Sequence, residues 1–179
     1  MKRQQLEHVL RAAAQIADTR DIIVLGSQAI LGSVADDELP LEASRSIEVD
    51  LAFAIDPDGS LADAVDGAIG ELSRFHEEFH YYPHGVELST ARLPIGWRDR
   101  LVVLDNANTK PGRGLCLEPH DLVASKLAAW RSKDREYARV LLGAGLVERG
   151  VLLERIGQLE GVPESMQRLI KEWVEAATG

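Results

Sequence analysis

The sequence predicts an α/β (α+β) fold, in which a mixed β-sheet flanked by helices is followed by a C-terminal helical bundle. Three observations predict it. Hydrophobic residues make up 45% of the 179 residues, which is enough for a packed core. Two stretches in the first half have the patterns of strands, and four helical patterns follow one another after Glu118. We therefore predict a core over residues 1–118 and a helical region over residues 119–179 that packs on it.

The first elements follow from local patterns. Residues 2–17 carry apolar side chains at helical spacing and predict an amphipathic helix. Residues 21–26, DIIVLG, form a continuously apolar run that predicts a buried strand ending on a glycine. Ser27 then follows where a helix N-cap is expected, so residues 27–32 are predicted to open a helix.

The middle of the chain contains further strand and helix signals. Residues 44–53, SRSIEVDLAF, alternate apolar and polar side chains with the period of a strand that has one buried face. A helix over residues 61–79 follows the turn DPDGS. Two extended segments are predicted next, over residues 85–94 and 100–106, and residues 109–114, TKPGRG, read as a loop.

The last third of the chain is predicted to be entirely helical. Each pattern is opened or closed by a glycine, a proline or a charged residue, and Pro119 suits the first position of its helix. The predicted helices lie within residues 118–133, 135–146, 148–159 and 163–177.

Composition and charge limit the functional classes. The net charge of −9 argues against non-specific binding of nucleic acid, which relies on a basic surface. Residues 91–100 and 109–114 could still form a local basic patch, or carry ordinary solvated charges. No apolar run approaches the roughly 20 residues that cross a bilayer, and the N-terminal segment lacks the apolar core of a signal peptide. We expect a cytoplasmic protein with no membrane partner. The single Cys116 excludes an internal disulfide and a multi-cysteine metal site.

Glu48 and Asp50 form the first candidate site. They lie two residues apart in the predicted strand 44–53, so both side chains point to the same face of the sheet. Two neighbouring carboxylates repel each other, and hard divalent ions such as Mg²⁺ bind one or two carboxylates while phosphates and waters complete the shell. The pair therefore predicts a metal site; the alternative is an edge strand whose polar face meets water.

Gly26 and Ser27 form the second candidate site. A glycine that ends a buried strand and opens a helix lets a phosphate approach the backbone, and the serine hydroxyl adds a hydrogen-bond donor. An ordinary strand-to-helix turn with a serine cap is the alternative. Neither glycine-rich phosphate fingerprint, GxxxxGK[ST] or GxGxxG, is present in the sequence.

Residues 76–80, HEEFH, match the H-E-x-x-H pattern of zinc proteases. On a helix His76 and His80 would share one face, and His84 could add a third ligand. We reject this interpretation, because YYPHG breaks the helix at once and no protease scaffold surrounds the motif. Solvated histidines at a helix terminus are the simpler interpretation.

The two candidate sites together resemble the nucleotidyltransferase superfamily of the polymerase β type. The matching residues are Gly26-Ser27 and Glu48-Val49-Asp50. The segments GSQAILGS, RSIEVDL, LPIGWRDRL and LEPHDLVASKLAAWRSKDREY are similar to a bacterial branch of the superfamily that is related to the AbiEii and MenT-type toxins. The resemblance covers residues 22–153, and it implies that residues 1–118 form a nucleotidyltransferase core.

The resemblance implies a cofactor, a donor and partners. The cofactor is Mg²⁺, or Mn²⁺ in its place, and a nucleoside triphosphate is the donor. Gly26 and Ser27 would bind the triphosphate, while Glu48 and Asp50 would be catalytic metal ligands. Relatives carry a third carboxylate on a later strand, for which Glu87 is the candidate here, with a solvent-facing glutamate as the alternative. The implied acceptor is tRNA, and the implied protein partner is a cognate antitoxin.

The block DLVASKLAAWRSKD adds three residues to the implied site. Lys126 matches the toxins' functional lysine, with a catalytic and a nucleotide-binding role, Arg131 would bind nucleotide, and Asp134 would be catalytic. Asp134 lies eight positions after Lys126, so on one helix they would lie about 80° apart and reach one cleft. An ordinary surface lysine on an amphipathic helix is the alternative for Lys126.

Two other functions stay open at this point. Within enzymes, the acceptor could be a small molecule or a protein side chain. From another class, the chain could be an inactive relative that acts as a nucleotide-binding or antitoxin-type module, since Glu48 stands where the superfamily more often has Asp.

Overall fold

The computed structural model of the chain describes residues 1–177, so residues 178 and 179 of the predicted helical region lie outside the described residues. Five strands and seven α-helices are described. The strands are β1 (Asp21–Leu25), β2 (Glu48–Ala52), β3 (Tyr82–Gly85), β4 (Val102–Leu104) and β5 (Arg113–Cys116). The helices are α1 (Arg3–Ile16), α2 (Ser60–Ile69), α3 (Arg74–Phe79), α4 (Pro119–Ala129), α5 (Ser132–Gly143), α6 (Arg149–Gly157) and α7 (Glu164–Ala176). Short 3₁₀ helices cover Ser27–Gly32, Leu88–Thr90 and Trp97–Arg100.

The strands form one mixed sheet in the order β3-β2-β1-β5-β4, which confirms the predicted fold class. Strand β1 is central; it pairs antiparallel with β2 and parallel with β5. The outer pairs are β2 with β3, parallel, and β4 with β5, antiparallel. The continuous apolar run of β1 suits this central place, because four of its five residues are buried.

Helices cover the sheet and share its core. The apolar stripe of α1, predicted from the sequence, packs on β1 and β5 through Leu6, Val9 and Leu10. Helix α4 packs on the 3₁₀ helix Ser27–Gly32 and on the helices that follow it. Its buried residues belong to the same hydrophobic core as those of the sheet. Within residues 1–177, every helix is too short or too polar to cross a lipid bilayer.

Four local predictions from the sequence are wrong. The helix predicted after β1 is a 3₁₀ helix, and its N-cap is Gly26 rather than Ser27. The helix predicted over 61–79 is two helices, because the chain is extended at Gly70 and left-handed at Leu72. Residues 85–94 contain a 3₁₀ turn, and the strand at their start, β3, begins three residues earlier.

The fourth error is β5, which overlaps the predicted loop 109–114. The sequence did not predict a strand over RGLC, because the segment contains a glycine, which is uncommon in strands. The structure explains that glycine, since a Cβ at Gly114 would lie 2.8 Å from Leu10 Cδ1 of α1. Glycine at this position therefore lets Leu10 pack closely on the strand.

Candidate active site

Asp50 lies directly against the Gly26-Ser27 turn. The antiparallel register pairs Leu25, the last residue of β1, with Asp50 of β2. A Cβ built on Gly26 would lie 2.0 Å from Asp50 Oδ2, and the φ angle of Gly26 is +62°. Only glycine fits a left-handed backbone with a carboxylate in van der Waals contact. The two candidate sites of the sequence thus meet at one place.

This place opens into a cavity of about 600 Å³. Its walls come from the end of β1, from β2, from the segment after β3, and from α4 with the start of α5. Six of the eight residues that the sequence singled out line it: Gly26, Ser27, Glu48, Asp50, Lys126 and Arg131.

The two carboxylates stand side by side, as the strand period predicts. The side chain of Asp50 is 33% exposed and that of Glu48 is 42% exposed. Burial and then the charge of Glu48 raise the pKa of Asp50 above its ordinary value. Glu48 Oε2 accepts a hydrogen bond from the hydroxyl of Tyr82, at 3.1 Å. Burial and this bond raise the pKa of Tyr82 to about 12, so Tyr82 remains a donor.

His84 completes the group at the end of β3. The parallel register of β2 and β3 pairs Asp50 with His84. His84 Nδ1 lies 3.5 Å from Asp50 Oδ1 and 3.6 Å from Glu48 Oε1. One atom from each of the three residues lies within 4.8 Å of the others. Sequence reasoning considered His84 only beside the zinc-protease pattern and missed this group.

The structure does not bring Glu87 into this group. Glu87 is the N-cap residue of the 3₁₀ helix Leu88–Thr90, and its carboxylate accepts a hydrogen bond from Ser89 Oγ at 3.0 Å. It lines a neighbouring cavity with Phe53 and Ile55. The chain direction explains the difference, because β3 has already ended at Gly85 when Glu87 is reached.

Lys126 reaches the cavity from α4. Its side chain is only 14% exposed, and burial lowers its pKa below the ordinary value of a lysine. Lys126 Nζ lies 3.4 Å from Oδ1 of Asp134, which is fully buried. Arg131 Nε donates to Asp134 Oδ2 at 2.6 Å. Asp134 is thus the counter-charge of two cations at the cavity wall.

Lys126 and Asp134 do not lie on one helix, as the separation of about 80° assumed. Helix α4 ends at Ala129, Trp130 is left-handed with φ +55°, and α5 begins at Ser132. Lys126 and Asp134 meet because α5 packs against α4, so the separation of about 80°, which holds along one helix, does not describe their contact.

Tyr137 connects α5 to the Gly-Ser turn. Its hydroxyl donates to the backbone carbonyl of Ser27 at 2.8 Å, and its ring centroid lies 4.9 Å from Lys126 Nζ. The residue is buried, and burial raises its pKa. Sequence reasoning missed Tyr137. The one available signal was its position three residues after Asp134, on the same face of α5.

One family comparison identifies the class of protein. Residues 4–156 match the family described as Nucleotidyltransferase of unknown function (DUF6036). The chain belongs to this nucleotidyltransferase family. Neither curated proteins nor solved structures give a significant match. The family description names the class of reaction but no acceptor, so tRNA, the toxin role and the relation to AbiEii and MenT-type proteins stay predictions.

The residues of this nucleotidyltransferase fit a divalent ion. Two carboxylates and one imidazole offer the oxygen and nitrogen atoms that such ions bind. The raised pKa of Asp50 reports unfavourable burial beside a like charge, which a bound cation would relieve. Lys126, Arg131, Arg92 and Lys133 on other walls add positive charge for a triphosphate.

Proposed function

We propose that the protein transfers a nucleoside monophosphate from a nucleoside triphosphate to a hydroxyl acceptor, with Mg²⁺, or Mn²⁺ in its place, as the metal. One observation carries the proposal: the carboxylate of Asp50 lies against the Gly26-Ser27 turn inside a cavity whose opposite wall carries Lys126. This arrangement sets metal ligands beside a surface that a phosphate can approach closely.

The turn supplies the phosphate contact. Gly26 has no side chain, so phosphate oxygens can come close to the backbone beside Asp50. The Ser27 hydroxyl can donate a hydrogen bond to the triphosphate, and the Ser27 carbonyl is already held by Tyr137. The turn therefore has its backbone fixed before substrate binds, which favours alignment of the α-phosphorus with the acceptor.

Glu48 and Asp50 would hold the metal ion, with Glu87 outside the cavity and His84 inside it. A bound divalent ion would supply charge neutralisation at the phosphates and activation of the acceptor hydroxyl. Lys126 and Arg131 would bind phosphate oxygens, where negative charge develops on the leaving pyrophosphate. Asp134 keeps both cations in place and so acts through them.

We propose tRNA as the acceptor and a toxin with a cognate antitoxin as the biological setting, as the sequence resemblance implies. Four cationic side chains on the cavity walls support a polyanionic acceptor in a protein whose net charge is −9. A small molecule or a protein side chain is the rival acceptor. An inactive nucleotide-binding module is the rival outside enzymes.

Pyrophosphate release tests the proposal. The full chain is incubated with each of the four α-³²P-labelled nucleoside triphosphates and a divalent ion, with and without total tRNA. We expect release, label on RNA, and loss of both in Asp50→Asn. Asp37→Asn, an exposed residue outside the cavity, is the matched control and should keep full activity.

Each rival gives a different result. Pyrophosphate release without label on RNA would remove the tRNA acceptor and keep the transferase. Tight nucleotide binding without release under any condition would favour the inactive module. Undiminished release in Asp50→Asn would refute the assignment of the site.

A further inference from the structure

We propose that His84 is the third metal ligand of this site and that its nitrogen makes the site prefer Mn²⁺ to Mg²⁺. The inference rests on the proposed function, which it deepens by naming a ligand and an ion. It departs from the sequence prediction, in which Glu87 was the candidate third ligand and all three ligands were carboxylates.

The geometry supports His84 as a ligand. Neighbouring ligands on an octahedral ion, each at about 2.1 Å from it, lie about 3 Å apart. His84 Nδ1 lies 3.5 Å from Asp50 Oδ1 and 3.6 Å from Glu48 Oε1. The ring therefore needs a shift of only about half an ångström to share an ion with both carboxylates. Its side chain is 50% exposed and belongs to β3, an edge strand, which leaves room for that shift.

His84 Nδ1 lies near an oxygen of each carboxylate, as expected if all three residues bind the same ion. A histidine that only formed an ion pair would gain most from one close hydrogen bond to one carboxylate. Here Nδ1 stands nearly equidistant from two oxygens and forms a close hydrogen bond with neither. A divalent cation bound between the three atoms would lie within reach of all of them.

The chemistry of the donor set selects the ion. Mg²⁺ binds oxygen and loses its water reluctantly, whereas imidazole nitrogen favours the first-row transition ions. Mn²⁺ also binds carboxylate, phosphate and water oxygens. Because the site offers two carboxylates, one imidazole and space for a triphosphate, Mn²⁺ matches all of its parts.

Electron paramagnetic resonance of Mn²⁺ tests the inference without any turnover. The full chain is titrated with Mn²⁺ in the absence of nucleotide, and Mg²⁺ is then added as competitor. The variants are His84→Ala, which removes the ligand, and His84→Asp, which makes the donor set all-oxygen. His80→Asn is the control, because His80 is exposed, lies outside the cavity, and has a left-handed backbone that asparagine tolerates.

We expect Mn²⁺ affinity to fall at least about tenfold in His84→Ala. In His84→Asp the ratio of Mn²⁺ to Mg²⁺ affinity should fall by a similar factor, while Mg²⁺ binding is kept. Electron spin-echo modulation from a coordinated ¹⁴N should be present in the wild type and in His80→Asn and absent in both His84 variants. Circular dichroism of each variant establishes that the fold is intact.

The outcomes separate the inference from the proposed function. Unchanged Mn²⁺ affinity in His84→Ala, or no nitrogen signal in the wild type, overturns the inference and leaves His84 as an ion-pair partner, even if pyrophosphate is released. A nitrogen signal that is lost in both His84 variants, together with no pyrophosphate release from any nucleotide, supports the inference and overturns the proposed function.

Discussion

Replacing Gly26 by alanine tests the close contact between the Gly-Ser turn and Asp50. The new methyl group would lie 2.0 Å from Asp50 Oδ2, so that oxygen must move by more than an ångström to reach an ordinary contact distance. The backbone of Gly26, with φ +62° and ψ −167°, lies in a region that is essentially restricted to glycine, so a residue with a Cβ adds strain of about 1–3 kcal/mol there. Forcing the Asp50 side chain off its rotamer adds about 1 kcal/mol.

Gly59→Ala is the matched control. Gly59 has a φ of +73°, but nothing lies within 4 Å of a Cβ built there. The ψ of Gly59, +4°, places it in the left-handed region that residues with a Cβ can adopt. Both variants therefore carry strain from a positive φ, but the strain is larger in Gly26→Ala, and only Gly26→Ala also displaces Asp50. We expect Gly59→Ala to lose about 1–2 kcal/mol of unfolding free energy with activity unchanged, and Gly26→Ala to lose about 2–4 kcal/mol.

The larger effect should be on activity. A displacement of about 1 Å in a metal ligand is expected to lower pyrophosphate release about 100-fold in Gly26→Ala. Urea denaturation and the release assay measure the two effects separately. In the double variant Gly26→Ala/Asp50→Ala the collision is absent, so Gly26→Ala should cost about 1 kcal/mol less stability in the Asp50→Ala background than in the wild type. Equal stability and equal activity of the two single variants would refute the contact.

Three further predictions concern charge and hydrogen bonding at the site. Asp50→Asn should raise the unfolding free energy at pH 7, because the pKa of Asp50 is raised in the folded state. When the pKa of a carboxyl group is higher in the folded than in the unfolded state, the protein becomes less stable as the pH rises from the unfolded pKa to the folded pKa. The stability gained in Asp50→Asn should therefore become smaller as the pH falls toward 3.8, the ordinary pKa of Asp. Thermal melts at a series of pH values measure this. Tyr137→Phe should lose about 1 kcal/mol of stability and weaken nucleotide binding, because the Ser27 carbonyl loses its hydrogen-bond donor while the ring beside Lys126 is kept. Calorimetric titration with a non-hydrolysable nucleotide measures the change in nucleotide binding. Asp134→Asn should lose about 3 kcal/mol in urea denaturation, because it leaves Lys126 without its buried counter-charge.

The parts of the site that depend on local pattern were predictable from the sequence. The alternation around Glu48 and Asp50 fixes the strand and the face, and the apolar run before Gly26 fixes the turn. Their proximity followed from the resemblance, since pairing of β1 with β2 is a tertiary feature that neither pattern contains. The motifs Gly26-Ser27 and Glu48-Val49-Asp50 were enough to suggest that the two sites lie together.

The parts that depend on non-local pairing were not predictable. His84 joins the carboxylates only through the parallel register of β2 and β3, and no periodicity in the sequence encodes that register. Lys126 and Asp134 were expected to reach one cleft from one helix and instead lie on two helices, because a left-handed Trp130 has no reliable sequence signal. The ion pair between them is a finding of the structure.

The hydroxyl of Tyr137 has a consequence for shortened forms of the protein. Lys126 and Tyr137 both follow residue 118, the boundary predicted for the core, yet one lines the cavity and the other holds the turn. A fragment that stops at the boundary would keep both carboxylates and lose the opposite wall. The helical region therefore forms one wall of the cavity, and we expect the front portion expressed alone to bind a nucleoside triphosphate more weakly than the full chain does.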